Sequence, residues 1–335
     1  MIRHFIQNYL EPKALVLMYH RIAAPETDIW DLAVSPANFE EQLQVLSQTG
    51  EVVPLHELAA RAKEKRRRKR LIALSFDDGY SDNYETAKPL LEKYRLPATF
   101  FVTSCNVGTA REFWWDELEN LILYSAHLPA TFVMEVKGGL IKTDLNQETE
   151  MSEELQQQHM HWKACLTLPT TRRSELFLTL WTVMRVLPDS EIQELLQQVR
   201  DWTKSEVAHR PAFKSMSTGQ LAELANQQLF DIGAHTVTHP ALGHHGLDFQ
   251  KAEMADNRDL LQELTGNRIS LMAYPYGHYN TATLQAAEAA SFDAAFTTEG
   301  STVNKRTHQH RIGRFQVSDM KGVAFAKTLQ KWVQT

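Results

Sequence analysis

Short apolar runs that stop abruptly on chemically capable polar residues recur along this chain. Residues 15–19 (LVLMY) end at His20, residues 71–76 (LIALSF) end on Asp77-Asp78-Gly79, residues 229–234 end on His235, and residues 269–274 end on Pro275-Tyr276-Gly277. Apolar runs of this length without polar alternation fit strands buried on both faces. Helical spacing separates them. Phe39, Leu43 and Leu46 follow Ser35-Pro36, which reads as an N-cap with proline at the first helical position. Tyr84, Ala87, Leu91 and Tyr94 recur at helical spacing, with Pro89 expected to distort or shorten that helix. Residues 97–102 then give a second strand, so 71–102 has the size of a parallel βαβ unit, about 30 residues.

Later in the chain Ser217 and Gln220 have the spacing of a capping box ahead of Leu221, Leu224 and Ala225. Residues 51–55, 293–297 and 311–317 read as further strands, 283–290 as a helix and 323–333 as a closing helix. From 105 to 215 the pattern changes: Trp114-Trp115-Asp116-Glu117-Leu118 opens an amphipathic helix, 131–141 alternates around Gly138-Gly139 like a hairpin, and 176–186 and 192–202 look helical. The expected organisation is one α/β domain, residues 14–104 and 216–335, interrupted by a mostly helical insertion at 105–215 that serves as a lid or an oligomer surface.

Composition narrows the class. Hydrophobic residues make up 43% of 335, enough for a sizeable core, and a net charge of −6 argues against a general nucleic-acid binder. Cys105 and Cys165 show neither metal spacing nor a disulfide framework. The N-terminal sequence lacks the apolar core and cleavage site of a secretion signal, and no apolar run approaches the ~20 residues that span a bilayer. The expectation is a cytoplasmic protein. The basic run 63–70 (KEKRRRKR) reads as a solvated loop, with a patch for anionic lipid or a phosphorylated sugar carrier as the sharper reading.

In α/β barrels the loops after the strands' C-terminal ends build the active site. His20, Asp77-Asp78, His235 and Tyr276 would then converge on one mouth. Two adjacent carboxylates at a strand end repel and are costly to desolvate, which suggests separate tasks for them, one binding a cation and one moving protons. His235-Thr236-Val237-Thr238-His239 places two imidazoles four residues apart; on a turn of helix both would share a face. Two histidine nitrogens and a carboxylate oxygen suit a divalent metal with an open position for water or substrate.

SFDDGY, HTVTH and AYPYG occur in the order and approximate spacing of the polysaccharide deacetylases, the NodB-homology domain of carbohydrate esterase family 4. The resemblance covers roughly residues 14–110 and 216–335 and is closest to members with a YPYG version of the third motif. FWWDEL at 113–118 resembles a subgroup associated with surface-glycan assembly. The resemblance implies a distorted (β/α) barrel, with Asp77 as catalytic base and Asp78, His235 and His239 as metal ligands. It also implies that Tyr276 donates its backbone N–H to the developing oxyanion. Tyr274, Pro275, Arg314 and Trp115 stand as candidate substrate contacts. Zn2+ is the expected metal, with Co2+, Fe2+ or Ni2+ able to substitute. The expected reaction is hydrolysis of an N-acetyl group from an amino sugar in a polysaccharide, an oligosaccharide or a lipid-linked glycan precursor.

The chain departs from the family pattern. The third motif normally carries an arginine four residues before its proline; here that position is Leu271, and Arg268 is out of register. The fourth motif normally ends in Trp, where this chain offers only Asp293 followed by Phe296. The last motif normally supplies a histidine as general acid, and Ile312-Gly313-Arg314 puts arginine there, a poor proton donor near neutral pH. His20, at its own strand end, is the candidate for the acid role. Two other readings are a deformylase or other small-amide hydrolase on the same fold, and a catalytically impaired carbohydrate-binding protein.

Overall fold

The computed structural model describes residues 13–61, 70–206 and 209–334. Of the basic run only Arg70 falls within them; residues 63–69 and the first 12, on which the reading of the N-terminus leans, lie outside the described residues. The chain forms two compact units. The first runs to Ala24 and takes in Ala33–Gly108 and Met216–Thr335; the second comprises Pro25–Leu32 and Thr109–Ser215. The sequence boundaries at 104 and 215 lie close to these, but Pro25–Leu32 carries no compositional mark that separates it from the barrel.

The strands in chain order are β1 (Leu15–Tyr19), β2 (Arg21–Ile22), β3 (Ala33–Val34), β4 (Glu51–Val52), β5 (Leu71–Phe76), β6 (Ala98–Val102), β7 (Thr131–Val136), β8 (Gly139–Asp144), β9 (Phe230–Ala234), β10 (Leu271–Ala273), β11 (Ala294–Phe296) and β12 (Phe315–Gln316). An 8-stranded sheet organises the first unit in the order β11-β10-β9-β6-β5-β1-β12, with β4 on β5. Its pairs are parallel. A parallel bridge between Phe296 and Ile312 draws the β11 edge toward the chain entering β12, so the sheet curls toward closure. The result is a mixed α/β fold with a curled parallel half-barrel.

The period of two along each strand sorts the side chains. Ile72, Leu74 and Phe76 pack toward the helices, in a cluster with Phe39, Leu91, Leu224, Met254, Ala286 and Phe325. Leu71 and Ala73 point the other way and pack with Val16, Phe101, Leu271, Ala273, Phe296 and Ile312. Ser75 and Asp77 continue this second set, which explains how a polar pair follows from an apolar strand without facing the helical layer.

Local differences from the sequence pattern have identifiable causes. Ser35 makes no side-chain cap; its N–H and hydroxyl both donate to Asp319 Oδ1, at 3.0 and 2.8 Å. The predicted capping box of Ser217 and Gln220 is present in both directions, at 2.9 and 3.1 Å. Ahead of Pro89 the chain forms a wide π-type turn, Asn83–Ala87, and the helix Lys88–Tyr94 starts with the proline in its first turn. The chain stays helical from 81 to 94, and the wide turn is where it takes up a ring that cannot donate to the preceding turn. The strand expected over 311–317 shrinks to Phe315–Gln316.

The second unit combines the β7–β8 hairpin with the helices Trp114–Glu119, Glu153–His161, Arg172–Met184 and Asp189–Thr203. Fully buried Arg173 ties it together by donating to the carbonyls of Glu148 and Ser125, at 2.8 and 2.6 Å. Among the described residues no helix is long and apolar enough to cross a membrane.

Candidate active site

The turn after β5 is fixed by backbone bonds from neighbouring strand ends. Asp77 N–H donates to Tyr19 O at 3.0 Å, Thr103 N–H to Asp78 O at 3.2 Å, and Met216 N–H to Gly79 O at 3.0 Å. Asp78 takes a left-handed φ of 72° and Gly79 one of 90°. A Cβ on Gly79 would stand 3.0 Å from Val102 Cγ1, so glycine lets the chain turn against β6. The two carboxylates end up only 2% and 3% exposed and diverge, each with its own partners.

Asp78 faces the histidines. Its Oδ1 lies 3.5 Å from His235 Nε2 and 3.3 Å from His239 Nε2. The segment carrying those histidines is not a helical turn, contrary to the sequence expectation. It is a tight non-helical loop in which Thr236 and His239 adopt φ of 65° and 59°, and this brings the two ring centroids within 4.9 Å. His235 Nδ1 lies 2.8 Å from the Ala273 carbonyl. A carbonyl only accepts, so Nδ1 carries the proton and Nε2 keeps its lone pair for a ligand. One oxygen and two nitrogens, all buried and within 4.8 Å of one another, make up a set that fits a divalent cation. Donors bound at ~2.1 Å in tetrahedral geometry stand about 3.4 Å apart, close to the spacings of Asp78 with each histidine.

Asp77 faces Arg314. The guanidinium is fully buried and meets both carboxylate oxygens, Nη1 to Oδ1 and Nη2 to Oδ2, each at 2.6 Å. Nη1 also reaches Ser75 Oγ at 3.1 Å, Nε donates to Thr297 O at 3.1 Å, and the Ser75 hydroxyl donates on to Leu17 O. This revises the sequence expectation for Arg314. Four of its five N–H groups are engaged by Asp77, Ser75 and Thr297, so the side chain meets Asp77 within the interior of the fold. Leu271 fills the apolar interior beside Phe101 and Phe296, while the Arg314 guanidinium reaches Asp77 from the β12 side.

Burial opposes ionisation of Asp77, but the neighbouring Arg314 charge, with a contribution from His235, outweighs it and holds the carboxyl below its ordinary range. Burial likewise opposes ionisation of Asp78, and hydrogen bonds with His235 and His239 outweigh it, holding that carboxyl well below the range. Burial pushes His239 down, toward the neutral imidazole that a ligand must be. His20 follows Tyr19, which pairs with Phe76 and whose carbonyl accepts from the Asp77 N–H, so its backbone lies beside the turn that carries the two aspartates. Its Nδ1 is buried and has no hydrogen-bond partner among the described residues, while its carbonyl accepts from Asn83 Nδ2 at 2.8 Å.

Tyr276 sits in a left-handed conformation, φ 57°, ψ 5°, with its ring 4.6 Å from that of His239. The remaining sequence candidates are buried. Tyr274 belongs to the helix-facing cluster, fully buried, with its hydroxyl donating to His310 O at 3.1 Å; one step along β10 from inward Ala273, parity turns it away. Pro275 is buried. Trp115 lies in the second unit, buried and stacked on Phe113 at 4.4 Å. Ser75, which accepts from Arg314, is not among the sequence candidates. A lone hydroxyl in an otherwise apolar buried strand, two residues before Asp77 and on the same face, was the available signal.

Residues 64–161 and 183–295 match the sequence profile of the family described as polysaccharide deacetylase. The chain belongs to the polysaccharide deacetylase family. Its enzymatic class is therefore that of a saccharide deacetylase, a hydrolase of amide C–N bonds. The match stops short of Arg314. Over 329 residues the chain is 21% identical to YxkH of Bacillus subtilis (strain 168), covering 97% of this chain and 79% of that protein. It is 33% identical over 114 residues to a poly-beta-1,6-N-acetyl-D-glucosamine N-deacetylase of Staphylococcus aureus (strain MSSA476), a stretch covering 30% of this chain and 39% of that relative. Among solved structures, IcaB from Ammonifex degensii superposes with a TM-score of 0.58 at 19% identity, over 97% of this chain and 98% of that one. At that identity the likeness speaks for the fold.

Proposed function

We propose that this chain is a divalent-metal-dependent deacetylase that removes N-acetyl groups from an amino sugar within a polysaccharide, an oligosaccharide or a lipid-linked glycan precursor. The observation that carries the reading is the division of labour between the adjacent aspartates: Asp78 with His235 and His239, Asp77 with Arg314. A divalent cation, Zn2+ by preference, held by Asp78, His235 and His239 would polarise the acetyl carbonyl and acidify a water beside it. Asp77, ionised and oriented by Arg314, takes a proton from the attacking water. The Tyr276 backbone N–H donates to the oxygen that gains charge as the carbonyl carbon becomes tetrahedral. His20 gives a proton to the amine as the C–N bond breaks, leaving acetate and a free amino sugar.

The alternative of a silent carbohydrate-binding protein drew on Leu271 and Arg314. The bond between Arg314 and Asp77 speaks against it, since binding alone needs no base held this firmly. Cytoplasmic residence, which would favour a precursor over finished polymer, stays part of the proposal and is tested by cell fractionation.

The deciding experiment combines metal analysis of purified protein with acid release from a panel of N-acetyl and N-formyl amino sugars and oligosaccharides. Bound metal and metal-dependent acetate release are expected. Formate release alone would move the reading to a deformylase, and metal-free protein without activity would favour the binding protein.

A further inference from the structure

The loop bearing both histidines is one that its own sequence does not favour. Thr236 is β-branched, His239 is bulky, and each holds a left-handed φ. Such conformations are costly for residues with a Cβ and persist only where the surroundings enforce them. From one side the end of β6 contributes: Ser104 and Cys105 N–H donate to Thr236 O and Val237 O, at 3.3 and 2.9 Å. From the other side comes the helix Leu247–Thr265, through Glu253 and Asn257. These are four residues apart and so share one helix face.

Both side chains are buried and both bind the loop. Glu253 accepts from the Thr238 N–H at 2.9 Å through Oε2 and from the Thr238 hydroxyl at 2.7 Å through Oε1. Asn257 Oδ1 accepts from the His235 N–H at 3.0 Å, and its Nδ2 donates to Val102 O at 3.1 Å, spanning the ends of β9 and β6. One bond is thus made at His235 itself and two at the residue before His239. A buried carboxylate accepting from a backbone amide forms a charge-assisted bond, among the stronger ones available.

We propose that Glu253 and Asn257 are positioning residues for the metal centre: the helix sets the separation of His235 and His239, and thereby the affinity of the site. Nothing in their own position touches the reacting atoms; they act through the loop. The inference rests on the metal-centre reading of Asp78, His235 and His239. In sequence terms an E-x-x-x-N pair reads an H-x-x-x-H pair, each end of the helical turn holding one part of the loop.

The test uses the full chain, stripped of metal. Zn2+ affinity is measured by competition with a chromophoric chelator, the visible spectrum of the Co2+ form is recorded, and the thermal midpoint is taken without metal. Glu253→Ala is expected to weaken Zn2+ binding about 10–100-fold, the range typical for residues that orient ligands, and to change the Co2+ bands. Glu253→Gln, which keeps an acceptor for the Thr238 N–H, should recover most of that loss. Thr238→Val, which removes only the hydroxyl donor, should show a smaller one. A merely structural role predicts instead a lower metal-free midpoint with wild-type Zn2+ affinity in the folded protein, and that outcome overturns the proposal. Should Glu253→Ala fail to fold, wild-type affinity in Thr238→Val overturns it equally. Wild-type protein that takes up no metal overturns the metal-centre reading and this inference together, whereas wild-type protein that binds while the variants bind equally overturns this inference alone.

Discussion

Arg314 and Asp77 meet as a two-pronged pair, with each terminal guanidinium nitrogen 2.6 Å from a carboxylate oxygen and neither side chain open to solvent. Arg314→Met would leave a buried carboxylate without its countercharge. Breaking such a pair costs about 3–5 kcal/mol. Because Asp77 is depressed in the folded state, its contribution to stability is present above the unfolded value, near 3.9, and is lost as pH falls through the lower folded value. Without Arg314 burial is left to raise the carboxyl. Acid unfolding should then begin at higher pH, and the acid limb of kcat/KM should move the same way. Arg314→Lys should be intermediate, since an ammonium supplies charge but no planar fork. Thermal melts across pH and a pH–rate profile check this; an unmoved acid limb in Arg314→Met would count against Arg314 as the orienting partner of the base.

Metal removal gives a second test. A ligand that binds only the folded state stabilises by about 2.7 kcal/mol at a concentration 100-fold above its Kd. Chelator-treated protein should melt lower and regain its midpoint with added Zn2+. Asp78→Asn and His239→Ala should lose that response along with metal stoichiometry. Asp77→Asn should keep both while losing about 10²–10⁴-fold in kcat, because it removes a proton acceptor and leaves the three donor atoms in place.

Much of this site was legible because strand ends carry it. Apolar runs stopping at His20, Asp77, His235 and Pro275 gave the parallel strands, and the parallel arrangement put those ends together. What stayed hidden was carried by tertiary geometry. Spacing suggested a helical turn for His235 and His239, but left-handed φ at Thr236 and His239 makes a loop do that work. The arginine looked absent because position 271 holds leucine; only the curl that brings Phe296 beside Ile312 puts residue 314 within reach of Asp77. Glu253 and Asn257 sit mid-helix among ordinary polar residues, and nothing local distinguishes them from a solvated face. Tyr274 neighbours the motif, and parity sends its ring into the helical layer, which sequence adjacency does not show.

The proton-donor role of His20 has a kinetic signature. A general acid must be protonated, so rate is lost as pH rises through its pKa. His20→Gln should lower kcat about 10²–10⁴-fold and flatten that basic limb, with metal content unchanged. Asn83→Ala, which removes the bond to the His20 carbonyl, should weaken turnover in the same direction by a smaller factor. Unchanged turnover and an unchanged pH profile in His20→Gln would assign the acid role to another group.

Gly277 tests the oxyanion donor through the turn that aims it. Tyr276 and Gly277 adopt successive left-handed conformations, φ 57° and 62°, directly after Pro275. A Cβ on Gly277 would fall 2.0 Å from Thr298 Oγ1 and 2.9 Å from its Cβ and Cγ2, so the short turn Pro275–Gly277 that carries the Tyr276 N–H would have to shift. The left-handed backbone adds about 1–2 kcal/mol for any residue with a Cβ. Gly277→Ala should therefore lower the thermal midpoint and reduce kcat more than it changes KM, because a misplaced N–H is missed chiefly in the transition state. Clearing the steric contact with Thr298→Gly in the same chain should restore part of kcat while leaving the backbone strain. Steady-state kinetics on the best saccharide, run beside melts of both variants, separate the two effects. If Gly277→Ala loses stability but keeps kcat, the Tyr276 amide is not the group that meets the oxyanion.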